Sequence, residues 1–419
     1  MYDETTGIGF EGGPAGCGPL LPGPGAESKP LRQQVFEHVR AAGRAARADV
    51  ARGLGISAGS VTTLTSDLIA VGLLREIEGT SRESRESGRG RPPVALEVVH
   101  EGRRVIGIKL SDERHSAVLT DFAGNMLADA TLPTIPIRKT AVQILDEMGE
   151  LIDNLMTAAA LSLSAVTAVG LGLSGLVDHD TGIVPWSPLL ADRDVPLKAL
   201  FEARFALPVH VDNDANVLTL AELWFGAGRA MSDFAVVTIE HGVGMGLVLN
   251  NRLFRGTRGM GLELGHMKVH LDGALCRCGQ RGCLEAYLAD YALAREASTA
   301  LGRNARNMES PQALLETLFG EAKAGNHAAR TIFRRAGRYL SLGLSNVIQL
   351  FDPELIILSG ERMRYDYLYA DEVLAEMRGL MLADGRVPCK VEIHAWGDLV
   401  WARGATALAL SAVTDAVLG

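Results

Sequence analysis

Residues 263–285 constrain this chain more tightly than any other stretch. Three of only five cysteines, Cys276, Cys278 and Cys283, fall within eight residues there, and His266 lies ten residues before the first. Thiolates gathered so closely need a cation between them. Three cysteines and one imidazole supply the four donors of a closed tetrahedral zinc site, so a structural Zn²⁺ is expected. Gly279 and Gly282 allow the tight turns that wrap a short loop around an ion. Arg277 and Arg281 suit the net charge of about −1 that Zn²⁺ carries with three thiolates.

At 419 residues the chain is long enough for two or three domains, and 47% hydrophobic with 22% charged residues is an ordinary globular balance. No apolar run approaches the ~20 residues of a membrane span. The opening Met-Tyr-Asp-Glu has neither the basic nor the apolar region of a secretory signal. With so few cysteines, a reducing cytoplasm is expected, with Cys17 and Cys389 as unremarkable free thiols.

The net charge of −9 conceals an asymmetry. Residues 29–95 hold eleven Lys/Arg against seven acids, a charge of +4, which leaves about −13 for the remainder. A basic head on an acidic body implies that only the head meets a polyanion. Before it, residues 1–28 are rich in Gly and Pro without apolar periodicity and read as a disordered tail.

Within the head (29–99), the spacing predicts helices over 31–43 and 47–54. Gly55-Ile56-Ser57 forms a turn, and Ser57 caps a third helix that runs to about Val71. Val61, Leu64 and Leu68 form its buried stripe, while Ser60, Thr62, Thr63, Thr65 and Ser66 lie opposite. Strands at 73–77 and 94–99 complete a winged helix-turn-helix. Its wing carries Arg89 and Arg91 between glycines, ahead of Pro92-Pro93, a composition suited to a narrow minor groove. A solvated linker has similar composition; the adjoining helices favour DNA. Base readout is expected from Ser57, Ser60, Thr62 and Thr63, and phosphate contacts from Arg32, Arg47 and Arg52.

From Arg104 onward strands and helices alternate, and the pattern restarts near Phe234. Strands are expected at 105–110, 116–120, 124–128, 166–173, 209–211, 234–239, 246–249 and 355–358. Helices are expected at 140–163, 216–225, 328–350 and 402–417. This repetition predicts a two-lobed α/β body with a cleft. The lobes span 103–219 and 220–395, and a C-terminal helix (396–419) packs back on the first.

With the zinc loop, the winged helix and this doubled body, the chain resembles the ROK family, the repressors and kinases of sugar metabolism, and in particular its transcriptional-repressor branch. The match rests on Glu263-Leu264-Gly265-His266, on the run from Cys276 to Glu285, and on Asn213-Asp214-Ala215-Asn216. The resemblance implies an actin-like (ribonuclease-H-like) fold. It also implies a sugar in the cleft, held by Asn213, Asp214, Glu263, His266 and Glu285 with a backbone contact at Gly175. The chemistry agrees: a pyranose presents a ring of hydroxyls, and carboxylates are strong acceptors for them. A histidine that binds zinc through one nitrogen can face the sugar with the other. Helix capping would by itself account for Asn213-Asp214, and both roles are compatible.

Family kinases use the aspartate matched by Asp214 as general base. Their phosphate loops, however, are altered here. Lys109 replaces the aspartate of Asp-x-Gly-Gly-Thr and no glycine follows it. Glu240-His241-Gly242-Val243-Gly244 replaces Gly-Thr-Gly-x-Gly, and Ser359-Gly360-Glu361 replaces a triple glycine. A carboxylate facing phosphate a few ångströms away costs on the order of 1–4 kcal/mol. The expectation is therefore a regulator without enzymatic activity. It would bind operator DNA as a homodimer or higher homo-oligomer and respond to a sugar or sugar-phosphate effector. The alternative is a ROK sugar kinase with an appended DNA-binding head.

Overall fold

The computed structural model describes residues 14–21, 29–78, 94–300, 311–360, 363, 371–382, 387–397 and 399–419. Arg89, Arg91, Glu361 and most of the expected tail lie outside them. The head begins with α1 (Leu31–Ala42), β1 (Ala45–Ala46), α2 (Arg47–Leu54) and α3 (Ala58–Ala70). β2 (Leu74–Glu78) and β3 (Val94–Val98) follow as an antiparallel pair, with β1 on the other side of β3. Ser57 caps α3 by accepting from the Ser60 N–H at 3.0 Å. Gly55 adopts φ +65° at the turn that ends α2.

Lobe I contains β4 (Arg104–Leu110), β5 (Arg114–Asp121), β6 (Met126–Pro133), α4 (Ala141–Ala158), β7 (Ala168–Leu173), β8 (Leu176–Asp178), β9 (Ile183–Trp186), α5 (Leu197–Phe205), β10 (Val209–Asn213) and α6 (Asp214–Phe225). Lobe II contains β11 (Phe234–Ile239), β12 (Val243–Leu249), β13 (Arg252–Phe254), α7 (Glu285–Leu288), α8 (Asp290–Ala300), α9 (Pro311–Lys323), α10 (His327–Phe351), β14 (Leu355–Ser359), α11 (Asp371–Gly379) and β15 (Lys390–His394). The sheet orders are β10-β7-β4-β5-β6 and β13-β12-β11-β14-β15. Each is an antiparallel three-strand meander extended by two parallel strands beside its first strand. The internal repetition expected from sequence is therefore a true topological duplication.

The last helix, α12 (Leu399–Leu418), returns to lobe I and packs on β4, β7 and α6. Glycines make that return possible. A Cβ at Gly107 or Gly170 would stand 2.0 or 1.9 Å from the Ala402 or Ala405 carbonyl, and one at Gly404 would stand 1.8 Å from the Val217 carbonyl of α6. On the opposite face of the lobe I sheet, Ile106, Ile108 and Leu171 pack with Ile144, Met148, Leu151 and Phe201 from α4 and α5. Among the described residues no helix is long and apolar enough to cross a membrane.

Part of the expected disordered tail is packed. Residues 14–21 lie between head and body, where the Cys17 N–H donates to the Arg40 carbonyl (3.1 Å) and the Gly18 N–H to the Trp224 carbonyl (2.9 Å). Arg229 gathers the carbonyls of Pro14, Gly18 and Ala41. Glycine and proline content signals lack of regular structure, but carbonyl partners supplied by distant arginines were invisible in it. Cys17 is buried, and its thiol donates to the Ala123 carbonyl at 3.1 Å. Head and body share one apolar core that runs from Val35 and Phe36 through Trp224 to Val413 and Leu418.

Alanine in place of glycine normally favours a helix by up to about 1 kcal/mol. Gly404→Ala is expected to do the reverse, because its Cβ would meet the α6 backbone. A destabilisation of roughly 1–3 kcal/mol or more should appear as a lowered urea midpoint. An unchanged or raised midpoint would contradict the close approach.

Candidate functional site: a polar cleft beside a thiol loop

β7 and β10 are parallel neighbours, with Leu173 opposite Asn213, so Ser174-Gly175 and Asn213-Asp214 leave the sheet side by side. This is where open α/β sheets place ligands. Gly175 adopts φ +123°, and a Cβ there would stand 2.3 Å from the Trp186 carbonyl. Asn213 joins the two loops: its amide donates to the Gly175 carbonyl (2.8 Å) while its oxygen caps α6 at the Ala215 N–H (2.8 Å). Asp214 accepts from the Ser174 hydroxyl at 2.5 Å. The cap that the sequence suggested is present: Asn213 closes the first turn of α6, directly beside Asp214.

Glu263 and His266 come from the short helical turn after β13, and Glu285 opens α7. Glu285 is buried. It faces the Tyr291 hydroxyl (3.3 Å), the Cys276 thiol (3.5 Å) and the Val243 N–H (3.4 Å). Glu263 leaves 48% of its side chain to the open cleft, with its carboxylate 3.9 Å from His266 Nε2. Desolvation by the cleft walls raises its carboxyl above the ordinary value. His266 opposes that rise, and the negative charges of Asp214 and Glu285 add to it. The five expected side chains therefore converge, together with Gly175.

His266 turns its other nitrogen to the thiols, with Nδ1 3.7 Å from Cys276 Sγ. Cys278 and Cys283 have their sulfurs 3.7 Å apart. One donor atom from each of the four residues lies within 4.8 Å of all the others. Donors about 2.0–2.3 Å from a tetrahedral ion stand about 3.5–3.8 Å from one another, so the four residues can hold a metal. Gly279 (φ +87°) and Gly282 (φ +76°) make the turns, and a Cβ at Gly282 would stand 1.8 Å from the His270 carbonyl. Burial pushes the Cys276 thiol up to about 12, a cost that a bound cation reverses.

Three contributors were missed in the sequence. Ser174 and Tyr291 orient Asp214 and Glu285. Arg255, after β13, donates to the fully buried Asp212 at 2.7 Å and ties lobe II to lobe I. No local motif marks any of the three; the adjacency of Ser174 to Gly175 was the nearest signal.

The second half of the cleft is lined by the altered loops. The Lys109 ammonium lies over the Trp401 ring, 3.6 Å from its centroid. Glu240, just after β11, lies against Gly360, whose Cβ would stand 3.0 Å from Glu240 Cγ. His241 reaches Asp290 (3.1 Å) and, across the cleft, Asp112 (3.8 Å).

In the head, Ser60, Thr62 and Thr63 are exposed on α3. The Thr62 and Thr63 hydroxyls donate to the Ala58 and Gly59 carbonyls of their own helix. Thr65, expected on that face, is buried and hydrogen-bonded by Arg47 Nε (3.0 Å). Arg47 also pairs with Glu76 at 2.7 Å. Arg52 is exposed beside Asp49, whereas Arg32 donates to the Leu418 carbonyl at 3.2 Å. Arg32 therefore secures the end of α12 where a phosphate contact was expected; orphan carbonyls at a helix C-terminus favour a cation.

Comparison with known proteins agrees with this geometry. The family pattern described as "ROK family" matches residues 105–412. The chain belongs to the ROK family. It is 25% identical over 374 residues to the xylose repressor of Caldicellulosiruptor bescii, covering 87% of this chain and 91% of that one. A crystal structure of a ROK family transcriptional regulator, a homologue of the E. coli MLC protein, superposes with TM-score 0.74 at 25% identity. That likeness covers 93% of this chain and 97% of the other, head included. A ROK family glucokinase from Streptomyces griseus, in complex with glucose and AMPPNP, superposes with TM-score 0.62 at 29% identity. It covers 73% of this ROK chain and 98% of its own.

Prolonged dialysis against a strong chelator under reducing conditions is expected to release about one divalent ion per chain. Cys283→Ser should be isolated with little metal and a reduced Tm. Full metal occupancy in that variant, by elemental analysis, would remove Cys283 from the ligand set.

Proposed function

We propose that this ROK protein is a sugar-responsive, DNA-binding transcriptional regulator, a repressor of genes for carbohydrate uptake or catabolism. The course of α6 carries the reading. Its first residue, Asp214, belongs to the polyol clamp, and its last turn lies beneath the head. There the Arg40 guanidinium of α1 stands 4.7 Å from the Trp224 ring centroid and donates to Thr414 of α12 at 2.8 Å. Twelve residues of helix span about 18 Å, so one rigid element joins ligand to DNA-binding module. A sugar that prefers one arrangement of the lobes would bias the placement of paired heads on a dyad operator, with a homodimer as the working form.

Two further observations support the reading. The clamp residues Asn213, Asp214, Glu263, His266 and Glu285 converge, together with Gly175, on one cleft, as polyol recognition requires. On the nucleotide side, Lys109 is held on Trp401, and acidic groups line the loops where kinases seat phosphates. Phosphotransfer is accordingly absent from this proposal. A sugar kinase with an appended head is the second reading, favoured by Asp214, which stands where family kinases carry their base.

Zn²⁺ is the ion that His266, Cys276, Cys278 and Cys283 suit. When bound it supplies no reaction chemistry; it rigidifies the loop and fixes the His266 tautomer, so that Nε2 faces the cleft. Reduced thiols suit a cytoplasmic setting.

Mobility shifts on DNA upstream of its own gene, with and without a panel of sugars, test the proposal. Binding at low salt that a sugar weakens is expected; failure to bind any upstream fragment would overturn it. For DNA contact, Ser57, Ser60, Thr62 and Thr63 remain the proposed base-reading positions, with the wing arginines in the minor groove. Replacing Arg89 and Arg91 with Ala should reduce the slope of log K against log salt by up to about two. An unchanged slope would remove the wing from the interface.

A further inference from the structure

We propose that His241 is a charged latch across the cleft: it joins Asp112 of lobe I to Asp290 of lobe II and, in addition to the Arg255–Asp212 and Glu222–His394 links, favours closure of this side of the cleft without a nucleotide. The inference deepens the regulator reading, but its test uses neither sugar nor DNA.

A two-lobed body closes around whatever its two halves share. In a chain whose phosphate loops carry acids, no triphosphate and metal supply that attraction. The loops would in fact repel. Asp112 is on the β4–β5 turn, Asp290 opens α8, and Glu240 follows β11, and all three carboxylates bear on His241. The imidazole stands between two of them, with Nδ1 3.1 Å from Asp290 and Nε2 3.8 Å from Asp112. Asp290 is almost wholly buried, so its charge is poorly screened, whereas His241 and Asp112 are 47% and 41% exposed. An exposed ion pair contributes little by itself. Here loss of the central cation also leaves like charges facing each other across the gap, so both effects favour opening.

The histidine has the charge that this role needs. Its hydrogen bond to Asp290 raises it to about 9, against desolvation and with help from the Asp112, Asp290 and Glu240 charges, so it is an imidazolium at neutral pH. Because the folded value is raised, the attraction is complete below about 6.5 and is lost as pH rises through about 9.

The test is a distance measurement on the full chain. Genetically encoded, non-cysteine labels replace Asp129 on lobe I and Arg334 on lobe II, both exposed. At pH 7 the unmodified latch should give one short distance, and His241→Gln should raise the longer-distance population at least several-fold. His241→Lys, which keeps the cation, should stay closed. His241→Gln combined with Asp112→Asn, which removes one of the opposed charges, should fall between. Raising the pH through about 9 should open the parent protein and leave His241→Gln unchanged. Identical distance distributions for parent and His241→Gln, or equal opening of the Gln and Lys variants, would overturn the latch.

Discussion

Everything in this molecule is arranged around the seat of α6. The helix is buried along Ala215–Phe225, which a helix achieves only where its neighbours come close enough to exclude water on every side. Glycines provide that closeness from three directions. Gly172 of β7 and Gly404 of α12 receive Val217, and Gly246 of β12 receives Thr219, where a Cβ would stand 2.0 Å from its hydroxyl. At the far end, Glu222 accepts from Trp396 (2.6 Å) and lies 2.7 Å from His394, which binds α6 to β15 of lobe II. Asp214, both lobes and the head thus meet on one element.

Elements with strong periodicity or caps were legible in the sequence: the head helices, the first meander, the first two strands of the second, the strands at the lobe centres and the long C-terminal helix. So was the thiol loop, because three thiols and an imidazole within eighteen residues form a complete tetrahedral donor set on their own. β15 and α5 were missed, being short and without a distinct alternation or moment. The docked segment 14–21 was missed for a different reason: its partners, Arg229 and Trp224, lie some 200 residues away. Thr65 was misplaced because a hydroxyl is assigned outward by default, and only Arg47 makes its burial acceptable.

The two halves of the cleft follow opposite chemical logic. Around Asp214, each carboxylate or amide is positioned by a neighbour that leaves donor or acceptor capacity for hydroxyls: Ser174 for Asp214, Tyr291 for Glu285, Gly175 for Asn213. Around Lys109, charges are consumed internally, by an aromatic ring for the lysine and by carboxylates for His241. Preorganised open valences bind ligands, whereas satisfied ones do not. Two residues of the altered loops, recognisable in sequence only as wrong residue types, acquire partners in the structure: Trp401 for Lys109 and Asp290 for His241.

We propose that the polyol half of this cleft binds sugar while the triphosphate half is closed by the chain's own charges. Titration calorimetry on one preparation, with a panel of pentoses, hexoses and N-acetylhexosamines and then with Mg²⁺-AMPPNP, tests that division most directly. Saturable binding of at least one sugar, lost in Asp214→Asn, is expected, with no heat from nucleotide at millimolar concentration. Saturable nucleotide binding that sugar strengthens would contradict it.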